Sequence, residues 1–398
     1  MVDFDGRQTL MLAIIVLFAG KYLNKRVGFF QEYNIPEPVT GGVLASLIFG
    51  ALYYLVDLTI NFSLDQRDAL LMVFFTCIGL SSKLSTLLEG GKLLLILLAL
   101  AVTYLFIQNL TGIGVAGLGG GNLNAGVLGG SVSLSGGHGT AIAWAPVFIE
   151  DYGIPNAMEL GIACATFGLV LGGVVGGPIA KFLIKRYKLK ADSSEAITVG
   201  VQDEIGEKIN VDSMLMSLLI ISMAVGLGIH LQLLLEEFGV KIPVFVTCLF
   251  GGIVLTNTLP YGFKKISWPY GTPTLALVSD LSLGLFLAMS LMSLQLWTLV
   301  DLAGGILVLL LAQVLMITIF VIFVVFRLLG KNYEAAVMAS GYAGLALGAT
   351  PTAIANMTAV TKKYGAAPKA FIVVPLVGAF FIDISNAIII PTMLNWIN

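Results

Sequence analysis

Apolar runs long enough to cross a bilayer follow one another along the chain, separated by short polar connectors. A helical crossing takes about 20 mostly apolar residues. The pattern predicts spanning helices over 8–23, 38–56, 69–88, 92–116, 157–181, 213–235, 243–260, 273–297, 302–327 and 369–394. Two further stretches, 124–150 and 333–360, are also free of long polar runs, but they are rich in glycine and small hydroxyl residues. Irregular backbone at membrane depth is tolerated only where protein buries it or a watery cavity solvates it. These two stretches are therefore expected to be re-entrant helical hairpins.

The two stretches are one device written twice. At a constant spacing Gly129 matches Gly341, and Gly136 matches Gly348. Thr140-Ala141-Ile142-Ala143 matches Thr352-Ala353-Ile354-Ala355, and Tyr152-Gly153 matches Tyr364-Gly365. Weaker matches lie outside them. Ile35-Pro36 and Val39-Thr40 resemble Ile242-Pro243 and Val246-Thr247, while Asp68, Phe74, Thr86 and Glu89 resemble Asp280, Phe286, Thr298 and Asp301. Five spans and one hairpin per half invert the second half relative to the first. The expected fold is an all-α polytopic membrane protein of two inverted repeats, 1–190 and 213–398, joined by a cytoplasmic connector over 191–212. Paired discontinuous segments in corresponding halves are the best sequence pointer to a transporter's binding site.

Composition agrees. Of 398 residues, 58% are hydrophobic and 11% charged, against about 25% charged in a soluble protein; mean hydropathy is +0.97. From Leu93 to Ile149 there is no Asp, Glu, Lys or Arg. Cys77, Cys164 and Cys248 lie in apolar tracts without metal-type spacing and read as small buried hydrophobes. The first apolar run follows Asp3 and Asp5 rather than a basic region, so it reads as a retained helix. Charge distribution orients the chain. With both termini outside, all of the 21 basic residues except Arg7, Arg67 and Lys241 fall in cytoplasmic connectors, as the positive-inside rule requires. Lys208, Lys264 and Lys265 are among the cytoplasmic ones.

The first hairpin carries Ser133, Ser135, Gly136, Gly137, His138, Gly139 and Thr140; the second carries Gly348, Ala349, Thr350, Pro351, Thr352 and, further along, Asn356. Pro suits the first turn of a helix and Thr its cap. Thr350-Pro351 therefore predicts the start of a half-helix, and His138-Gly139-Thr140 its counterpart. Helix N-termini offer unpaired N–H donors and attract anions, and two of them suit a substrate bearing carboxylates. Hydroxyls and carbonyls there also suit a hard cation such as sodium. Glycines can instead serve only close helix packing. His138, the only ionisable group in its neutral tract, fits a substrate contact, a gate or a structural bond equally well.

Asp383 lies mid-helix with Asn386 on the same face. A carboxylate at that depth costs about 2.5–3.5 kcal/mol and normally faces a pathway or partner. The pair is a candidate sodium site, against a plain interhelical hydrogen bond. Asp280 is placed by the inverted repeat at the inner membrane edge and reads as interfacial, against a coordinating role. Arg67 and Lys83, near helix ends, either snorkel or steer anions, and His230 reads as interfacial. No metal cluster, nucleophile elbow or phosphate loop occurs, so no enzyme and no cofactor is expected and uptake must draw on an ion gradient. One positive charge entering down about 100 mV supplies about 2.3 kcal/mol.

At these motifs the chain resembles the bacterial glutamate:sodium symporter family. The resemblance rests on Ile35-Pro36-Glu37-Pro38-Val39 with Gly41-Gly42, on Leu134 to Thr140, on Cys164 to Gly173, on Gly348 to Met357 and on Val377 to Asp383. It implies two inverted five-helix repeats with re-entrant hairpins, and sodium-coupled L-glutamate uptake across the inner membrane. It further implies a homodimer working by an elevator-like movement, with no nucleic-acid partner. The residues alone leave open a cation-coupled carrier of another small anion, such as aspartate or a di- or hydroxycarboxylate, and an ion channel.

Overall fold

The computed structural model describes all residues except 1, 33–34, 57, 59, 84–90, 192–208, 239–241, 263–267, 295–302 and 398. Polar residues in the connectors set where several helices begin. Asp5 and Gln8 form a reciprocal capping box at the start of α1 (Gly6–Arg26). In chain order there follow α2 (Gly28–Glu32), α3 (Glu37–Val56), α4 (Asp65–Ser81), α5 (Gly91–Leu118), α6 (Leu123–Val127), α7 (Gly137–Glu150) and α8 (Ala157–Tyr187). The second half supplies α9 (Val211–Glu237), α10 (Val244–Gly262), α11 (Pro273–Met292) and α12 (Ala303–Phe320), which runs through a π-helical turn into α13 (Phe326–Leu328). Then come α14 (Tyr333–Leu347), α15 (Thr350–Tyr364), α16 (Pro368–Leu376) and α17 (Ile382–Ile397). Asn210 and Ser213 cap α9 reciprocally, Thr272 accepts from Leu275 N–H ahead of Pro273 in α11, and Asn332 accepts from Ala335 N–H in α14.

Over its described residues each predicted span contains a helix, although the apolar stretches of α3, α4 and α10 are shorter than a full crossing. Among the described residues, α1, α5, α8, α9, α11 and the α12–α13 rod are long and apolar enough to cross a membrane. The pair α16–α17, bent by 44°, makes a seventh if counted as one span. One detail departs from an all-α chain. Val2–Phe4 (β1) and Ile60–Phe62 (β2) pair as two short parallel strands, outside the predicted spans, where apolar residues flanking a polar one (Ile60-Asn61-Phe62) suit extended backbone. Several sequence expectations lie outside the described residues: Thr86, Glu89, Thr298 and Asp301 of the repeat, Lys208, Lys241, Lys264 and Lys265 of the connectors, and most of 191–212.

The helices gather into two compact units, each drawn from both halves of the sequence. One comprises Met1–Ser85 and Glu204–Trp297. Its core has one cluster around Cys77, Leu80, Ile221 and Leu255 and another around Val16, Ala45, Leu285 and Met289. The other unit comprises Thr86–Asp203 and Thr298–Asn398, and it contains both glycine-rich stretches. Within it α8 lies against α14 along Gly168, Gly172 and Gly176. A side chain at Gly168 would run into the Leu347 carbonyl, and one at Gly176 into the Asn356 amide. Small residues at four-residue spacing on one helix face let the backbones approach this closely.

Candidate substrate and ion site

The first glycine-rich stretch is a helix–break–helix unit. α6 passes into a π-helical turn, Leu128–Val132, where Gly130 leaves helical geometry (φ −94°, ψ −124°). α7 resumes at Gly137, whose φ of +69° is cheap only for glycine. A break leaves backbone groups without intrahelical partners, and burial makes an unmet one costly. Here carboxamides from neighbouring helices meet them. The Ser131 N–H donates to Asn109 Oδ1 at 2.8 Å. The Ser131 carbonyl accepts from Gly136 N–H at 2.8 Å and from Asn386 Nδ2 at 3.1 Å.

The second stretch breaks more sharply. α14 ends at Leu347, Gly348 (φ −149°, ψ −96°) and Ala349 carry the turn, and α15 starts at Thr350 with Pro351 in its first turn. The half-helix begins where it was predicted, but its cap is Ala349 rather than Thr350. Ala349 takes the extended cap conformation (φ −160°, ψ 167°), so the helical backbone starts one residue before the proline. The matching half-helix, α7, is capped by Gly136. Neither Gly136 nor Ala349 has a side-chain oxygen, and neither helix start has a side-chain cap. The cap residues of α7 and α15 therefore offer the first N–H groups no side-chain acceptor of their own.

The two breaks meet. A Cβ built on Gly137 would stand 3.8 Å from the Gly348 carbonyl oxygen. Ser135 Oγ donates to Gln108 Oε1 at 2.6 Å and reaches the Ala346 carbonyl at 3.2 Å, and Gln108 Nε2 donates to that same carbonyl at 2.8 Å. Gly136, Gly137, Gly139, Ala349 and Thr350 are half-buried and Pro351 is exposed, so the two helix starts are open on one side. Ser133, Ser135, His138, Thr140, Gly348, Thr352 and Asn356 are buried. Several are already engaged. Ser133 Oγ donates to the Leu128 carbonyl at 2.5 Å, Asn356 Nδ2 donates to the Gly172 carbonyl at 2.9 Å, and His138 Nε2 pairs with Thr166 Oγ1 at 2.9 Å. Thr352 Oγ1 is buried with no hydrogen-bond partner among the described residues.

The bent pair α16–α17 touches both breaks. Gly378, in its π-helical turn, lies against Thr350, where a side chain would crowd the hydroxyl. Asn386 holds Ser131 through its nitrogen, and its Oδ1 and the Ser131 Oγ are both buried without a partner among the described residues. Asp383, one turn earlier, is half-buried. Among the described residues no three His, Cys, Asp or Glu side chains come together.

Arg67, Lys83, His230 and Asp280 lie in the other unit. Arg67 is paired to its neighbour Asp68 at 2.7 Å, and Lys83 stands over the Tyr270 ring at 5.4 Å. His230 is exposed and pairs with the Gly226 carbonyl, and Asp280 is exposed on α11. Reading the sequence missed Gln108, Asn109 and Gln313, which make the buried ties around the breaks. Their signal was present: adjacent carboxamides inside a charge-free apolar span, and a lone one in a leucine-rich span, are polar groups at membrane depth that need partners.

Broken helices that meet inside one unit are a feature of secondary membrane transporters. Residues 2–366 match the sodium/glutamate symporter family, and the chain belongs to it. It is 42% identical over 394 residues to the sodium/glutamate symporter of Escherichia coli strain K12, covering 98% of this chain and 97% of the relative. A protein of the same name from Shigella flexneri shows the same identity and coverage. One from Haemophilus influenzae is 39% identical over 400 residues, covering 99% of this chain and 98% of the relative.

Proposed function

We infer that this protein is a multi-pass membrane symporter that carries L-glutamate with sodium. Membership of the family and the near full-length likeness to proteins named for that activity support the substrate and the ion. The observation that carries the mechanism is the meeting of two uncapped helix starts, at Gly137 and Gly348–Ala349. The N–H groups opening α7 and α15 would receive the carboxylates of glutamate. Gly136, Gly137, His138, Gly139 and Thr140 would line one side, and Gly348, Ala349, Thr350, Pro351 and Thr352 the other. Ser133, Ser135 and Asn356 would shape this cradle through their internal bonds.

Sodium would sit at Asp383 and the free Oδ1 of Asn386, with the unpartnered Ser131 hydroxyl as a third oxygen. On this reading 124–150 and 333–360 are re-entrant hairpins of two inverted repeats, 1–190 and 213–398. The unit holding both hairpins would travel as the elevator and the other would anchor it, in a homodimer of the bacterial inner membrane with both termini outside. Uptake of labelled glutamate into proteoliposomes, with and without an inward sodium gradient, tests the reading. Sodium-independent uptake would defeat the coupling, and competition by aspartate or hydroxycarboxylates at equal potency would defeat the substrate.

A further inference from the structure

Gln108 is wholly buried in α5, at the contact between the two breaks. Its carboxamide is used at both ends. Oε1 accepts from Ser135 in the first break, and Nε2 donates to the Ala346 carbonyl beside the second. Its own backbone carbonyl accepts from Gln313 Nε2 of α12 at 2.8 Å, which fixes the height of α5 at that point. The Ala346 carbonyl lies in the last turn of α14, where helix carbonyls lose their intrahelical partners. Ser135 is four residues from Ser131, whose carbonyl is held by Asn386 of α17. One unbroken series of bonds therefore runs from Asn386 through the 131–135 turn to Gln108 and on to the second break.

We propose that Gln108 is a positioning residue that couples the ion side of the site to the second hairpin. This rests on the transport reading above. A sodium ion held by Asn386 and Ser131 would fix the 131–135 turn. Gln108 would pass that constraint to Ala346 and so to the N–H groups that open α15. Neither cargo needs to touch Gln108. Without its amide each break keeps its own local bonds, but the order of one no longer constrains the other. Coupling of this kind is a free energy shared between two sites, and it shows as the effect of one ligand on the affinity for the other.

The test measures glutamate uptake into proteoliposomes across a matrix of sodium and glutamate concentrations. It compares the parent protein with Gln108→Leu, Gln108→Glu and Ser135→Ala. In the parent, rising sodium should lower the half-saturating glutamate concentration. Gln108→Leu should flatten that dependence, raising half-saturation at high sodium about tenfold while maximal rate per folded protein changes less than about threefold. Gln108→Glu enters this buried position as the neutral acid, whose O–H can donate to Ala346 while its other oxygen accepts from Ser135, so it should keep most of the dependence. Ser135→Ala should add little to Gln108→Leu in the double variant, because both cut the same series.

A purely structural role predicts another result: less folded protein and a lower maximal rate, with the sodium dependence of glutamate affinity intact in whatever folds. That result in Ser135→Ala would overturn the proposal, and it is readable even if Gln108→Leu fails to fold. If the parent itself shows no sodium-dependent glutamate uptake, the transport reading falls instead.

Discussion

Asn386 donates from Nδ2 to the Ser131 carbonyl over 3.1 Å and so fastens the last bent helix to the first break. The bond fixes which end of the carboxamide is the nitrogen and leaves its oxygen without a partner among the described residues. Asn386→Ala should remove both. Losing a buried bond of this kind costs about 1–3 kcal/mol, readable as a lower unfolding temperature in detergent. Asn386→Asp, which keeps oxygens but not the donor, should recover part of the sodium response and none of the stability. Equal behaviour of the two variants would separate Asn386 from sodium.

Asp383 supplies the one carboxylate on this face of α17. Asp383→Asn should raise the sodium concentration for half-maximal uptake by about tenfold or more, the scale of a lost charge-assisted contact. Glutamate half-saturation at saturating sodium should move much less. A normal sodium titration in this variant removes Asp383 from the site.

Gly126 and Gly112 bring α6 and α5 into direct backbone contact, and a Cβ on either would enter the other's peptide. Gly126→Ala should therefore destabilise the protein by about 1–3 kcal/mol through overpacking, seen as earlier thermal unfolding. Gly114, two residues past Gly112 on α5 and with open space around it, is the control. Gly114→Ala should leave the unfolding temperature unchanged or slightly raised.

His138 is tied to Thr166 of α8 at 2.9 Å, one residue past the left-handed Gly137. Thr166→Val keeps the shape and removes the hydroxyl. If the pair orients the start of α7 towards substrate, half-saturation for glutamate should rise by about three- to tenfold, with little change in the sodium titration. Unaltered kinetics with reduced stability would make the pair structural.

At the N-terminus, the Asp5 carboxyl is held below the ordinary value of 3.8 by the Gln8 N–H first and by Arg7 second. A folded value lowered in this way stabilises the cap above the unfolded pKa, and the contribution is lost as pH falls through the folded value. Amides in the first turn of α1 should lose protection on acidification below about pH 4, after correction for intrinsic exchange. Asp5→Ala should show that lower protection at every pH; a pH-independent difference of zero would mean the cap has no such role.

Both helix breaks could be read locally. Glycine-rich, hydroxyl-bearing stretches between apolar runs announced both breaks, and Thr350-Pro351 announced α15 to within one residue. The roles of single side chains were less legible. Ser133, Ser135 and Asn356 have the residue types of ligand contacts, yet their polar atoms bond to carbonyls or to Gln108. Which polar atom a hydroxyl finds depends on the helix beside it, and a hydrophobic pattern does not encode that neighbour. The bent pair α16–α17 likewise looked like one plain span, because a π-helical turn and a 44° bend leave the apolar pattern almost unchanged.

The sequence by itself determined that the chain is membrane-embedded, where its helices run, and that two glycine tracts interrupt them. Those are consequences of local composition: apolar side chains need lipid or each other, and glycine permits backbone that other residues resist. Only the tertiary structure decided that both breaks lie in one compact unit assembled from both halves, and that Gln108, Asn109 and Asn386 meet the backbone groups the breaks set loose. The physical reason is that a broken helix creates an obligation to pair its N–H and carbonyl groups. Distant helices discharge it, and their register is set by packing.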